Sequence, residues 1–137
     1  TATPAPPPST RKGAFMARTA VTVTTLTANT GVTEPAGTTA DPTNDHVVSG
    51  VPLEELVIRL ANTNGSDRVA TIKAGDNPPA LAAGLGDLAI TVPATTGVVW
   101  VGPLSSARFA QSDGSLEIDL ATSFAGTVTA YRIPRTA

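Results

Sequence analysis

The chain has 137 residues and a formal net charge of −2; charged residues make up 15% of it and hydrophobic residues 41%. It contains no cysteine, which excludes disulfide bonds and thiolate chemistry. This length accommodates one domain with one core, and no apolar run is long enough to cross a bilayer.

Glycine and proline occur 12 times each, and threonine and alanine are the commonest residues. This composition is typical of short strands joined by tight turns, and it does not suit helix bundles, which need more Leu, Glu and Lys. The composition therefore predicts an all-β protein.

The chain begins with TATPAPPPSTRKGAFMAR, which has neither helical nor strand periodicity. Residues 1–33 carry a charge of +3, whereas the remainder carries −5. Three positive charges are too few for a nucleic-acid footprint. Ordering such a segment needs more apolar surface than a small body supplies. We therefore predict an extended, Pro-rich basic arm over residues 1–18 that binds a neighbouring subunit, the alternative being an arm that folds back on its own domain.

Residues 19–137 are expected to form one β-sandwich domain of jelly-roll type. The alternation and the turn residues predict strands over 19–27, 46–51, 55–63, 68–74, 88–92, 97–102, 106–111, 115–121 and 126–133. The residues Asn-Gly-Ser-Asp at 64–67 predict a hairpin between the third and fourth of these strands. A long loop over 28–45, with at most a short pairing near Val32, and one helical turn at 80–83 complete the pattern.

The apolar positions that alternate along three of these strands are expected to share one core. They are Leu56, Ile58, Leu60, Leu88, Ile90, Val92, Leu116, Ile118 and Leu120.

The sequence contains no catalytic motif. The only histidine, His46, stands near Asp41 and Asp45, but Asp in a loop more often bonds the backbone than a metal. Glu117 and Asp119 share a face two residues apart, which is the polar face of an alternating strand. We therefore expect no enzyme activity, no catalytic residue, no metal and no cofactor.

Partner binding is the remaining role for the unusual residues. Trp100, the only tryptophan, lies in VVWVG. A core position is the commoner place for it, whereas an outward position would make it an interface anchor. In the arm, two large apolar residues stand between cations. The predicted partner-binding residues are Arg11, Lys12, Phe15, Met16, Arg18 and Trp100.

Two stretches carry a resemblance to a known group of proteins. They are KAGDNPPALAAGLGDLAITV (73–92) and VVWVGPLSSARFAQSDGSLEIDLATSFAGTVTAYRIP (98–134). Both resemble small virion proteins of tailed bacteriophages, in particular those infecting actinobacteria, and look like capsid decoration (cement) proteins. The resemblance covers roughly residues 46–134.

The resemblance implies a structural virion protein, made in the host cytoplasm, that binds the outer surface of an assembled capsid and stabilises it. Its implied partners are the major capsid protein and neighbouring copies of itself in a homotrimer, with no nucleic acid and no membrane. The alternative is a phage tail or head-fibre domain that binds host-surface glycans.

Overall fold

The structure, a computed structural model, describes residues 17–76 and 80–134. Over these residues ten strands are joined by loops and by three helical segments of three or four residues each. The strands are β1 (Thr19–Ala20), β2 (Val23–Thr25), β3 (Thr38–Thr39), β4 (His46–Val48), β5 (Leu56–Asn62), β6 (Arg68–Ile72), β7 (Leu88–Val92), β8 (Gly97–Val101), β9 (Leu116–Leu120) and β10 (Gly126–Arg132). The helical segments are two 3-10 helices, Leu53–Glu55 and Ala83–Leu85, and the one-turn α-helix α1 (Ser106–Phe109).

The strands form two mixed sheets. The first sheet has the order β1-β4-β9-β6-β7, and the second has the order β2-β10-β5-β8, with β3 pairing to β10. The pairs β1–β4 and β2–β10 are parallel, and the other neighbours are antiparallel. The described part of the chain is therefore mostly strand with almost no helix, which confirms the all-β prediction.

One hydrophobic cluster contains residues of both sheets. In β5, Leu56, Ile58 and Leu60 are fully buried and alternate with half-buried residues, as Leu116 and Ile118 do in β9. All the residues predicted for the core belong to this cluster or, for Leu88 and Ile90, pack against it. The prediction of the core is thus confirmed, because alternation reports which face of a strand is buried.

The predicted hairpin over 55–74 is wrong. β5 pairs with β8 and β10 in the second sheet, whereas β6 pairs with β7 and β9 in the first. The side chain of Asn62 is buried, and its Nδ2 donates to the backbone oxygens of Ser66 (3.0 Å) and Val92 (3.1 Å). Its Oδ1 accepts a hydrogen bond from Asn64 N at 2.9 Å. This network lets the turn at 64–67 carry the chain from one sheet to the other.

The strand predicted over 19–27 is two strands in different sheets. β1 lies at one edge of the first sheet and β2 at one edge of the second, so the chain crosses between them at Val21 and Thr22. The short pairing expected near Val32 occurs instead at β3, and the helical turn expected at 80–83 is the 3-10 helix Ala83–Leu85.

The strand predicted over 106–111 is also wrong, since this segment contains α1. The carboxylate of Glu54 accepts hydrogen bonds from the backbone N (2.9 Å) and the Oγ (2.6 Å) of Ser106. A helix whose first turn is bonded by a residue 52 positions earlier carries no local signal in the sequence.

Candidate interaction surface

The six predicted partner-binding residues fall into two groups. Arg11, Lys12, Phe15 and Met16 lie outside the described residues. Arg18 and Trp100 are described, and they lie on the outer faces of different sheets, as the contacts below establish.

Arg18 is bound by its own chain. Its Nη1 lies 2.7 Å from Asp119 Oδ1 and 3.3 Å from the backbone oxygens of His46 and Ile118, and its Nη2 lies 3.4 Å from Glu117 Oε1. Glu117 and Asp119 alternate with the buried residues of β9, so the guanidinium lies on the outer face of the first sheet. Together with β1, it fixes the segment 18–20, which we call the arm root.

His46 also contacts the arm root, from a buried position. Its side chain is fully buried, its Nδ1 lies 3.2 Å from Thr19 O, and its Nε2 accepts a hydrogen bond from Asp41 N at 3.0 Å. An accepting Nε2 leaves the proton on Nδ1, so the ring is neutral and donates to Thr19. Burial lowers the pKa of His46, whereas the charges of Asp41 and Asp45 oppose that shift.

The carboxylates of Asp41 and Asp45 accept hydrogen bonds from other parts of the chain. Thr19 Oγ1 donates to Asp41 Oδ2 at 2.6 Å, and this bond lowers the pKa of Asp41. The carboxylate of Asp45 accepts a hydrogen bond from Leu120 N at 2.8 Å. Within 17–76 and 80–134, no group of three or more His, Cys, Asp or Glu residues could hold a metal ion.

The outer face of the first sheet continues as a network of ion pairs. Lys73 Nζ lies 3.0 Å from Asp87 Oδ2 and 3.8 Å from Asp119 Oδ2. The hydrogen bond to Asp87 raises the pKa of Lys73, and the backbone N–H of Ala74 with that same lysine lowers the pKa of Asp87. Asp87, Glu117 and Asp119 are thus each paired with a cation of the same chain.

Trp100 lies on the outer face of the second sheet. In β8, Val99 and Val101 pack into the core, which leaves Val98 and Trp100 facing outward. The side chain of Trp100 is 56% exposed. The sequence GVVWV does not show which face of the strand carries Trp100, because it has no polar side chain to mark the outer face. The structure places Trp100 on the outer face.

Two neighbouring side chains contact the ring of Trp100. Its ring stacks on Tyr131, with centroids 5.4 Å apart and an interplanar angle of 28°, and the guanidinium carbon of Arg59 lies 6.0 Å from the Trp100 ring centroid. Tyr131 is only 7% exposed, although it lies outside the core cluster. We call Val98, Trp100, Tyr131 and Arg59 the aromatic platform.

The loop between β2 and β3 borders the platform on the side of β10. Glu34 Oε2 lies 3.4 Å from Arg59 Nε, and a Cβ added at Gly37 would lie 2.6 Å from Thr129 Oγ1. On the other side the sheet ends at β8, which is its edge strand. Within residues 17–76 and 80–134, no strand of this sheet therefore lies beyond Trp100 on the β8 side.

A second exposed apolar pair lies at the end of the molecule that carries the helical segments. Leu81 and Leu85 are the most exposed large apolar side chains of the described residues. Ala82 N donates to Ala107 O at 2.6 Å, which fastens this loop to α1. The sequence predicted the loop but gave no sign that its leucines point outward.

None of the helices in the described parts of the chain is long and apolar enough to cross a membrane. Comparison with protein-family models, with curated proteins and with solved structures found no match. Function is therefore inferred from the sequence resemblance and from the arm root and the aromatic platform.

Proposed function

We propose that this protein is a structural virion protein that binds the outside of an assembled phage capsid and stabilises it without catalysis. Its partners are the major capsid protein and neighbouring copies of itself, in a homotrimer, on the outer capsid surface. Its two sheets form a β-sandwich of jelly-roll type. The resemblance of residues 46–134 to decoration proteins supports this proposal, as does the single cluster to which both sheets contribute.

The observation that carries the proposal is the fixed arm root. Arg18 and β1 attach the start of the domain to β9 and β4. The 16 residues that precede Ala17 are therefore joined to the domain at a defined point. A segment that links two subunits must itself be attached firmly to its own domain. Otherwise tension on the segment would first detach the adjoining residues of that domain.

The arm has the length and the chemistry for this role. An extended chain spans at most about 3.3–3.6 Å per residue, so 16 residues reach roughly 50–60 Å, enough to cross onto an adjacent subunit. Phe15 and Met16 directly precede the described residues and supply apolar contact area. Exposed ion pairs add little affinity, so these two residues should matter more than Arg11 and Lys12.

The alternative, a tail or head-fibre domain that binds host-surface glycans, has one observation in its favour. Sugar rings stack on exposed aromatic side chains, and Trp100 offers such a surface. Tyr131, however, is 7% exposed, which leaves Trp100 as the one exposed aromatic side chain among the described residues. We therefore keep the capsid as the proposed partner.

The test is attachment to capsid particles that lack the protein. The variant replaces residues 1–16 by a Gly/Ser segment of equal length, and a second variant, Arg11→Gln with Lys12→Gln, is the matched control for the loss of both charges alone. We expect the first to bind at least about tenfold more weakly and the control to bind nearly as well as the native chain, with equal melting temperatures. Equal decoration by all three would contradict the proposal. Binding to host cells that Trp100→Ala abolishes would favour the fibre alternative.

A further inference from the structure

The aromatic platform has the form of a site for a stiff apolar ligand. Trp100 is half exposed, and its ring stacks on Tyr131 with centroids 5.4 Å apart. Val98 is exposed on the same face, two residues earlier in β8, which places it roughly 7 Å away along the strand. A rigid indole beside an aliphatic side chain binds ring-shaped apolar groups with little loss of side-chain entropy.

The chain itself contains a ligand of that kind. Residues 4–8 read Pro-Ala-Pro-Pro-Pro. Proline fixes φ, so a proline-rich sequence favours the polyproline II helix even when unbound. In that conformation two prolines three positions apart, such as Pro4 and Pro7, would be one turn, or about 9 Å, apart. Exposed aromatic side chains recognise proline segments with this spacing. Trp100 supplies that ring here, with the buried Tyr131 packed against it.

We infer that the aromatic platform of one copy binds the proline segment, residues 4–8, of a neighbouring copy. The inference rests on the proposed function for its setting, since it names how adjacent copies on a shell are joined. It also identifies the partner of Trp100, which the proposed function leaves open.

The topology favours a neighbouring copy over the same chain. The arm root lies on the outer face of the first sheet at the edge formed by β1, and β2 lies at the same edge of the second sheet because only two residues join them. β8 lies at the opposite edge, next to β7 along the chain. The loop that contains Glu34 and Gly37 lies on the β10 side of the platform, which is the side that faces this edge. A neighbouring arm can approach over β8 directly.

Charge complementarity also favours the arm as the ligand of the aromatic platform. The carboxylate of Glu34 is 62% exposed at the border of the platform. Arg11 and Lys12 give residues 1–16 a charge of +2, opposite in sign to that carboxylate. This long-range attraction favours the encounter, whereas the contact with Trp100 supplies most of the affinity.

Trp100 itself reports binding, because it is the only tryptophan in the chain. Its fluorescence emission and the sedimentation coefficient are measured for the full chain over a wide range of concentration, with no particles present. The variant carries Pro4→Ala, Pro6→Ala and Pro7→Ala together, and the matched control carries Thr1→Ala, Thr3→Ala and Ser9→Ala in the same arm. Neither set touches the described domain.

We expect the native chain and the control to associate with rising concentration, with a shift of Trp100 emission to shorter wavelength. The proline variant should need about tenfold more protein for the same shift. A peptide of residues 1–13, which lacks tryptophan, should restore the shift in that variant.

The inference would be overturned if the native chain, the proline variant and the control had the same emission spectra and the same sedimentation coefficients at every concentration. A proline-dependent shift that is independent of concentration would also overturn it, since the arm would then bind its own chain. Because no particles are present, a failure here is distinct from a failure of capsid attachment, which contradicts the proposed function.

Discussion

The guanidinium of Arg18 lies 2.7 Å from the carboxylate of Asp119, 101 positions further along the chain. Glu117, two residues before Asp119 in β9, adds a second ion pair at 3.4 Å. β9 is the central strand of the first sheet, so this contact binds the arm root to the middle of the domain. Truncations designed to remove the arm should therefore end before Ala17.

Arg18→Ala is expected to lower the free energy of unfolding by about 1–2 kcal/mol, because the change removes partly buried hydrogen bonds and ion pairs together. The amides of Thr19 and Val21, which donate to Asp45 O and Val47 O, should exchange hydrogen faster. Denaturant unfolding and hydrogen exchange measure the two effects. A double-mutant cycle with Asp119→Ala is the control, and a coupling near zero would show that the pair does not stabilise the domain.

Stability is expected to depend on pH through His46. Burial lowers its pKa in the folded protein from the ordinary value near 6.5. Below pH 6.5 the unfolded chain binds a proton that the folded chain does not bind, so the free energy of unfolding falls as the pH drops through this range. Protonation would also cost the hydrogen bond from Asp41 N to Nε2.

Thermal unfolding between pH 7.5 and pH 5, roughly the range over which free histidine titrates, measures this effect. The pKa values of Asp41, Asp87 and Asp113 are also lowered, but from 3.8, so their contribution is lost only at more acidic pH. His46→Asn is expected to flatten the slope even if it lowers the stability throughout. An unchanged slope in that variant would assign the pH dependence to another group.

Gly126→Ala is expected to destabilise the domain by at least about 2 kcal/mol. Gly126 has φ +120°, and an added Cβ would collide with the backbone oxygen of Ala61 on the paired strand β5. Gly65→Ala is the matched control, because a Cβ there meets nothing within 4 Å. Chemical denaturation of both variants tests this, and equal midpoints would contradict the close approach of β10 to β5.

Trp100→Ala should change the stability by no more than about 1.5 kcal/mol, the usual contribution of one aromatic pair. Attachment to particles should nevertheless weaken at least about tenfold, since exposed tryptophans are the residues that anchor interfaces. Val69→Ala is the control, because this side chain is exposed on the other sheet. Unchanged attachment of the Trp100 variant would show that the aromatic platform is not part of the interface with the particle.

Local pattern was sufficient for the core and insufficient for the pairing of strands. The alternation of Leu56, Ile58 and Leu60 predicts a buried face whatever the partner strand is. The partner depends on contacts far apart in sequence. The turn at 64–67 is a hairpin by its residues alone, yet the buried amide of Asn62 bonds Val92 O and directs the chain into the other sheet.

The candidate site could be predicted only in part. Trp100 is unusual as the only tryptophan of the chain, but its strand consists of consecutive apolar residues. Such a strand fits two registers equally well, and a shift by one residue turns every side chain to the other face. The contact of Trp100 with Tyr131 joins strands that are not neighbours in the sheet, so no local spacing encodes it. The charge of Arg18 predicts a place in the arm, whereas the carboxylates that bind it lie 99 and 101 residues away, beyond the reach of any local pattern.

The crossing of the chain at Val21 and Thr22 has a mechanical consequence. β1 and β2 both pair in parallel with a longer-range partner, one in each sheet, and they follow one another directly. A pull on the amino-terminal side loads the hydrogen bonds of β1 and the contacts of Arg18 first, and it reaches β2 only when those have given way. The chain must therefore be released from both sheets in turn, so β2 should act as a second barrier to extraction by tension.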